Sequence, residues 1–591
     1  MPIAVIELVF IFGTLVLFAG CGLGIIAPYA RKFPFALLAS PQAGLLLLST
    51  ATQLFYSLFY LPIGKALLLA IPTCLAVTVS SLFVTKFRPL QKELLFFLIS
   101  AVLVSAVYIV ASCASSIKNG GPSVLYTDGT DHLAYAHVAD WMRNHAPSRD
   151  AAFRSEPWAD PTLPYQSLPN IVFGMDPRMG SYTFVGITGV LRGVPSTFVY
   201  DSACAIALVA AILGVAAVFS TRLPIFLMLA LGLSLAHWYD FTHAGFLSKA
   251  LAYPSALFTV GLFFLGLGDK RTWTIISLLS AVAGSALMLS GQVTVLILVL
   301  LGVPAMFLRT LQVRRIEMRD FCVLTLMVFF AIAVSGFFVR PYGGGFPHDP
   351  YRTLATALRA LDIEGWVTAT GTVQANVWLL ASAVAATITL AILAQLRRRA
   401  VATALLSAPM VFLVFLLACR SRDVAYQLTG FFYPATLCGA AAFASPCRSN
   451  SWRVAEIAGI AAMSVIMATR APRAWIALQH YTAPSMLTQN SISLDEFDSI
   501  EHVVNGRSLL VDLGPDPRLP IAALVELGRR GLQLQWTPRS WYPTVGGWRR
   551  SWTIPRYPAP AELRLVARED ATALHPLVST RNFSVVKNQR Q

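Results

Sequence analysis

The chain is 591 residues long, 56% hydrophobic and only 13% charged, with a mean hydropathy of +0.64; an ordinary soluble domain is about 25% charged. That balance excludes a soluble enzyme, a disordered chain and a fibrous protein, and leaves an α-helical polytopic membrane protein. The net charge of +16 would point to nucleic acid in a soluble protein. Here it reads as Lys and Arg retained on the cytoplasmic side, and no nucleic-acid partner is expected.

Apolar runs of about 17–25 residues can cross a bilayer as helices. Fourteen are present, near 4–27, 37–60, 62–85, 93–113, 197–219, 222–238, 250–268, 272–290, 292–309, 320–339, 376–396, 401–419, 425–444 and 454–470. The first has no basic stretch before it and is long enough to stay as a span, so no cleavable signal peptide is expected. With the N-terminus outside, the inside loops and their edges hold Arg31, Lys32, Lys86, Arg88, Lys92, Arg222, Lys270, Arg271, Arg309, Arg314, Arg315, Arg319, Arg397, Arg398, Arg399, Arg448 and Arg453. Those seventeen stand against Lys65, Lys249, Arg420 and Arg422 at the short outside loops, a clear positive-inside bias. The same orientation places both long loops, about 114–196 and 340–375, and the region 485–591 on the non-cytoplasmic face. No GxxxxGK[ST] run occurs and the inside loops are short, so an ATP-driven pump is not expected. The span interiors read as nearly free of charge.

The first long outer loop carries the stretch Tyr126 to Trp141, YTDGTDHLAYAHVADW. Asp128 and Asp131 lie three apart at a helix start, and His132, Tyr135 and Ala139 then recur at helical spacing. One explanation is structural, since Thr130 or Asp131 could cap the free N–H groups of a helix. The chemical explanation is a general base. A carboxylate at the membrane–water boundary can take the proton of an acceptor hydroxyl as it attacks an activated sugar carbon. Asp128, Asp131 and His132 could also hold a divalent cation weakly, although no strict DxD or HxH spacing is present. A divalent cation is therefore the single cofactor left open.

After residue 485 the apolar runs shorten to strand length. Ser508–Leu513, Leu532–Trp536, Glu562–Arg568 and Phe583–Lys587 read as strands, and Leu519–Arg530 as an amphipathic helix ending at Gly531. The order implies a small α/β domain with a partly parallel sheet over residues 485–591. Trp536, Trp541, Trp548 and Trp552 could stack on sugar rings or simply pack in the core or at the membrane interface. The eight cysteines are scattered, none follows Cys447 and no CxxC occurs, so they read as packed thiols and not as a disulfide framework or a zinc site.

Acidic residues opening a Tyr-Ala helix in the first long outer loop, followed by many spans and a small outer C-terminal domain, resemble the GT-C superfamily of integral-membrane glycosyltransferases, which use polyprenyl-phosphate-linked sugars. Asp131–His132–Leu133–Ala134–Tyr135–Ala136 is similar to an Asp-Glu-x-x-Tyr-Ala pattern of that family. The stretches Asp176–Tyr182, Gly193–Val194–Pro195 and His237–Asp240, running on to Gly245 and Lys249, also look like its loops. The resemblance implies that Asp131 is the catalytic acid-base residue. This chain has Asp131-His132 where the family often carries two adjacent acids, so the role falls on Asp131 or Asp128. The resemblance further implies a polyprenyl-phosphate-linked sugar donor, a glycan, lipid or protein acceptor, and a bacterial inner membrane with the C-terminal domain in the periplasm.

A lipid-phosphate donor needs cations on the outer face, where the guanidinium fork suits phosphate. The outer-edge candidates are Lys249, Arg340, Arg420 and Arg422. Arg340 precedes Pro341–Tyr342–Gly343–Gly344–Gly345, a stretch whose backbone can approach a ligand closely, and Tyr342 and His348 could help form the pocket. His132 and Tyr135 are the further candidates for contacting substrate. The competing explanation for each cation is snorkelling to lipid headgroups. Two alternatives to a sugar transferase stay open. An O-antigen-type polymerase or ligase would act through Arg340 and His348, and a lipid or solute transporter would be expected to show an internal repeat, of which there is no sign.

Overall fold

The structure is a computed structural model that describes residues 2–30, 32, 34–88, 91–125, 131–145, 179–236, 238–243, 247–269, 271–288, 291–313, 318–338, 373–418, 431–445, 452–514, 518–536, 561–572 and 574–588. In chain order its first elements are α1 (Ile3–Ile26), α2 (Ala36–Leu58), α3 (Ile63–Thr85), α4 (Gln91–Ser112), α5 (Ala114–Asn119), β1 (Ser123–Leu125), α6 (Asp131–Asn144) and α7 (Met179–Arg192). There follow α8 (Ser196–Phe219), α9 (Leu223–Ser234), α10 (Trp238–His243), α11 (Leu247–Gly266), α12 (Thr272–Met288), α13 (Gly291–Ile297), α14 (Val303–Val313) and α15 (Met318–Phe338). The bundle ends with α16 (Val373–Leu396), α17 (Ala400–Ala418), α18 (Phe432–Ala444), α19 (Trp452–Ala468), α20 (Ala471–Thr482) and α21 (Pro484–Gln489). The last part holds β2 (Ser491–Ser493), α22 (Leu494–Val504), β3 (Leu509–Val511), α23 (Arg518–Arg529), β4 (Leu534–Trp536), β5 (Leu563–Ala567), β6 (Val578–Ser579) and β7 (Phe583–Lys587).

Every apolar run read from the sequence carries a helix. Among the described residues six helices are long and apolar enough to cross a membrane: Ile3–Tyr29, Ile63–Thr85, Gln91–Ser112, Ser196–Phe219, Leu247–Gly266 and Thr294–Gln312. A seventh is added if Arg453–Ala468 and Ala471–Gln489, bent by 48° at their junction, form one broken span. Several of the other runs give shorter apolar helices, among them Leu223–Ser234, Thr272–Met288 and Phe432–Ala444. The run expected at 222–238 stops at Ser234 because the chain turns at Leu235, and α2 buries Ser40, Gln42, Ser49, Thr52 and Gln53 among its neighbours.

The burial pattern divides the helices by position. All of α8 is buried, which makes it a central post. By contrast α3 and α4 carry outward Leu68, Val79, Phe83, Leu103 and Val107, an apolar outer surface of the kind that lipid, not water, tolerates. Small residues let the inner helices close up. Gly24 on α1 donates its N–H to Thr78 Oγ1 at 3.2 Å, and Ser81 Oγ donates to the Gly24 carbonyl at 2.7 Å. Such small-residue seams hold membrane helices together where no hydrophobic driving force exists between them.

Among the described residues the C-terminal strands form a five-stranded sheet in the order β4-β3-β5-β7-β6. β3 runs parallel to β4 and β5, while β7 is antiparallel to β5 and β6. The strands and the helix fall where alternation and amphipathicity place them. A second pairing was not legible: β1 from the first long loop pairs antiparallel with β2, in the register Ser123↔Ser493, Val124↔Ile492 and Leu125↔Ser491.

Candidate functional site

The acidic helix α6 begins at Asp131. Ala136, Val138, Ala139 and Met142 are buried, three and four apart, and this stripe packs α6 onto α7 and α8. Close approach is possible because α7 presents glycine. A Cβ at Gly189 would lie 2.8 Å from Ser196 Oγ and 3.0 Å from Arg143 Nη1. Asp140, 3% exposed, ties α6 to the start of α8. Its Oδ1 accepts the Ser196 N–H at 2.7 Å and lies 3.2 Å from Arg143 Nη1, which also donates to the Val194 carbonyl at 2.6 Å. Burial pushes the Asp140 carboxyl up, and Arg143 and the Ser196 N–H pull it back. A carboxylate at a helix N-terminus also meets the positive end of the helix dipole.

Two more carboxylates lie beside the same end of α8. Asp201, 6% exposed, accepts Ser115 Oγ–H at 2.6 Å and the Leu125 N–H at 3.3 Å. Glu7 on α1, 2% exposed, pairs with Arg192 at 3.0 Å and accepts the Ser202 hydroxyl at 2.7 Å. Both acids lie near the ends of spans whose interiors read as nearly free of charge, and neutral and cationic donors satisfy them.

The short helix α10 borders the next turn of α8, Tyr200 donating to the Thr242 carbonyl at 3.4 Å. Its Tyr239 hydroxyl donates to the Ala111 carbonyl at the end of α4, at 3.2 Å. Asp240 pairs with Arg473 of α20 at 3.2 Å. His243 stacks against Tyr481 with ring centroids 4.6 Å apart and packs against Tyr239 at 4.3 Å. Its Nδ1 lies 3.0 Å from the Tyr239 carbonyl. The Thr242 hydroxyl stands 3.1 Å from the same nitrogen. Burial holds this histidine down to about 4, which keeps it neutral at physiological pH. Lys249 follows on the first turn of α11, 7% exposed.

The C-terminal domain docks at this same end. Besides the β1–β2 pairing, Phe497 packs edge-on to Phe198 of α8 at 6.1 Å. Lys118 donates to the Pro484 carbonyl at 3.0 Å, and Arg581 bonds Asn119 and the Leu487 and Thr488 carbonyls at 2.8 Å each. The opposite end of the bundle carries ion pairs of its own. There Lys32 pairs with Asp269 at 3.1 Å and Arg309 with Asp320 at 3.5 Å, and Asp320 also accepts the Gly268 N–H at 3.1 Å.

Of the residues singled out in the sequence, Asp131, His132 and Tyr135 occupy the first turns of α6, with only their backbone described. Lys249 lies on α11, and both helices border the N-terminal end of α8. Asp128, Arg340, Tyr342, His348, Arg420 and Arg422 lie outside the described residues, as do Trp541, Trp548 and Trp552. Among the described residues no group of three or more His, Cys, Asp or Glu could hold a metal ion. Asp140, Asp201, Glu7 and His243 were missed; the readable signal for the acids was a lone carboxylate within or beside an apolar run. Neither a protein-family model nor a curated protein matches the chain.

Proposed function

We propose that the protein is an integral-membrane glycosyltransferase of the GT-C type, with fourteen spans in a bacterial inner membrane and its C-terminal domain in the periplasm. It moves a sugar from a polyprenyl-phosphate-linked donor to a cell-envelope glycan, lipid or protein acceptor. The observation that carries this reading is that the acidic helix α6, the buried Lys249 and the C-terminal domain all border one end of the bundle, away from the Lys32–Asp269 and Arg309–Asp320 ion pairs.

In the reaction the acceptor oxygen attacks the anomeric carbon as its proton passes to the carboxylate of Asp131, or of Asp128. The bond from that carbon to the phosphate oxygen breaks, and its electron pair leaves with the lipid phosphate. Lys249, Arg340, Arg420 and Arg422 stabilise the departing phosphate, Tyr342 shapes its pocket, and His132 and Tyr135 contact the sugar or the acceptor. An inverted anomeric centre follows from a single displacement.

The test is transfer by the purified full chain, comparing Asp131→Asn and Asp128→Asn with the parent. One of the two should lose at least about 10²-fold in rate, the usual size of a general-base contribution, while the protein stays folded. Full activity in both variants, with loss in Arg340→Ala, would replace this reading with the polymerase or ligase.

A further inference from the structure

We propose that Asp201 is a positioning residue that sets the root of the acidic loop. The inference rests on the glycosyltransferase reading and extends it to a residue outside the reacting groups. The observation is the setting of β1. This three-residue strand ends at Leu125, six positions before Asp131. One edge is paired with β2 of the C-terminal domain. The other side faces the bundle, where the Leu125 N–H donates to Asp201 Oδ2 at 3.3 Å. The same oxygen accepts Ser115 Oγ–H at 2.6 Å, and Ser116 exchanges hydrogen bonds with the backbone of Ser123 at 3.1 Å each way.

A carboxylate inside a membrane bundle is expensive, and a well-packed apolar side chain would serve stability as well or better. What Asp201 supplies is direction. It fixes the last N–H of β1 relative to α8, the helix onto which α6 packs and whose first N–H binds Asp140. The strand before the loop and the helix after it are thus referenced to the same two turns of α8, Ser196 to Asp201. Strand β1 and helix α6, on either side of residues 126–130, are each tied to α8, the first through Asp201 and the second through Asp140. The pairing with β2 ties the C-terminal domain to the same strand.

The experiment uses the full chain in nanodiscs, with two readouts. The first is amide hydrogen exchange over residues 123–144, which needs no substrate. The second is steady-state transfer from a polyprenyl-phosphate sugar. In Asp201→Leu the exchange over 123–144 should rise while that of α8 and of β3 to β7 stays unchanged. kcat should fall roughly 10²-fold with the donor KM unchanged, the penalty of a displacement of about 1 Å at a reacting group. Asp201→Asn, which keeps an oxygen acceptor, should restore most of the rate. If Asp201→Leu does not fold, Ser115→Ala supplies the same test in milder form, with exchange and kcat moving in the same directions. Unchanged exchange over 123–144 in a folded variant would overturn the proposal. So would a loss of folded fraction with the same kcat per folded molecule. An inactive parent chain would instead remove the transferase reading, and the exchange measurement would still decide whether Asp201 holds the loop.

Discussion

Glu496 of the C-terminal domain accepts four hydrogen bonds, and its removal gives a sharp stability test. It is 5% exposed. Its Oε1 accepts the Ser493 N–H at 3.1 Å and Asn582 Nδ2 at 2.9 Å. Its Oε2 accepts the Asn582 N–H at 2.8 Å and the Thr580 hydroxyl at 2.8 Å. One carboxylate thus closes the capping box of α22 and holds the turn between β6 and β7, whose Arg581 reaches across to α5 and α21. Hydrogen bonds to a charged group contribute about 1.5–3 kcal/mol each, and the gain is not additive when the donors share one acceptor group. Glu496→Ala leaves four donors without their acceptor and should cost about 3–5 kcal/mol. Against a domain stability of about 5–15 kcal/mol, that lowers its melting temperature by more than about 10 °C. Glu496→Gln, which keeps one acceptor oxygen and turns an amide toward two donors, should fall between. The assay is thermal unfolding of the full chain in nanodiscs, with limited proteolysis reporting on residues 485–591. A Glu496→Ala protein that melts within about 2 °C of the parent would refute the reasoning.

Two further outcomes follow from named contacts. Burial holds His243 down to about 4 against an ordinary value near 6.5, so between those pH values the unfolded chain binds the proton and the folded chain does not. Stability is then fully present above pH 6.5 and is lost as the pH falls toward 4, by up to about 3 kcal/mol. Melting followed from pH 7 to pH 4 should show that slope in the parent and a shallower one in His243→Gln; equal slopes would contradict it. At Gly24 an added Cβ would stand 2.7 Å from Thr78 Cα and 2.9 Å from its hydroxyl. Gly24→Ala should therefore force α1 and α3 apart and cost about 1–3 kcal/mol. Gly13→Ala on the same helix meets nothing within 4 Å and should be neutral or slightly stabilising; equal melting of the two variants would contradict the close seam.

Hydropathy made the helices legible because lipid-facing and buried turns are both apolar, so α1, α3, α4 and α8 lie within a few residues of their expected bounds. The strands at Leu509–Val511, Leu563–Ala567 and Phe583–Lys587 were legible from short apolar runs bounded by turns. The β1–β2 pair was not, since three-residue strands such as Ser123–Leu125 and Ser491–Ser493 carry no periodic signal and their partners are far apart in sequence. The candidate site shows the same division. Asp131 stood out because it opens an amphipathic helix. Asp201 and Glu7 did not, because one carboxylate barely changes the mean hydropathy of a span, and only the fold reveals the donors of Ser115, Leu125, Arg192 and Ser202 around them. His243 was hidden for a related reason: its aromatic wall comes partly from Tyr481, more than two hundred residues away.

The measurement that bears most directly on the central claim is mass spectrometry of envelope glycans and lipid-linked sugars from a strain lacking this gene. The expected result is the loss of one sugar unit from an envelope glycan together with build-up of a polyprenyl-phosphate monosaccharide, restored by the parent chain and not by the inactive variant among Asp131→Asn and Asp128→Asn. Unchanged glycans and unchanged lipid-linked sugars would contradict the claim.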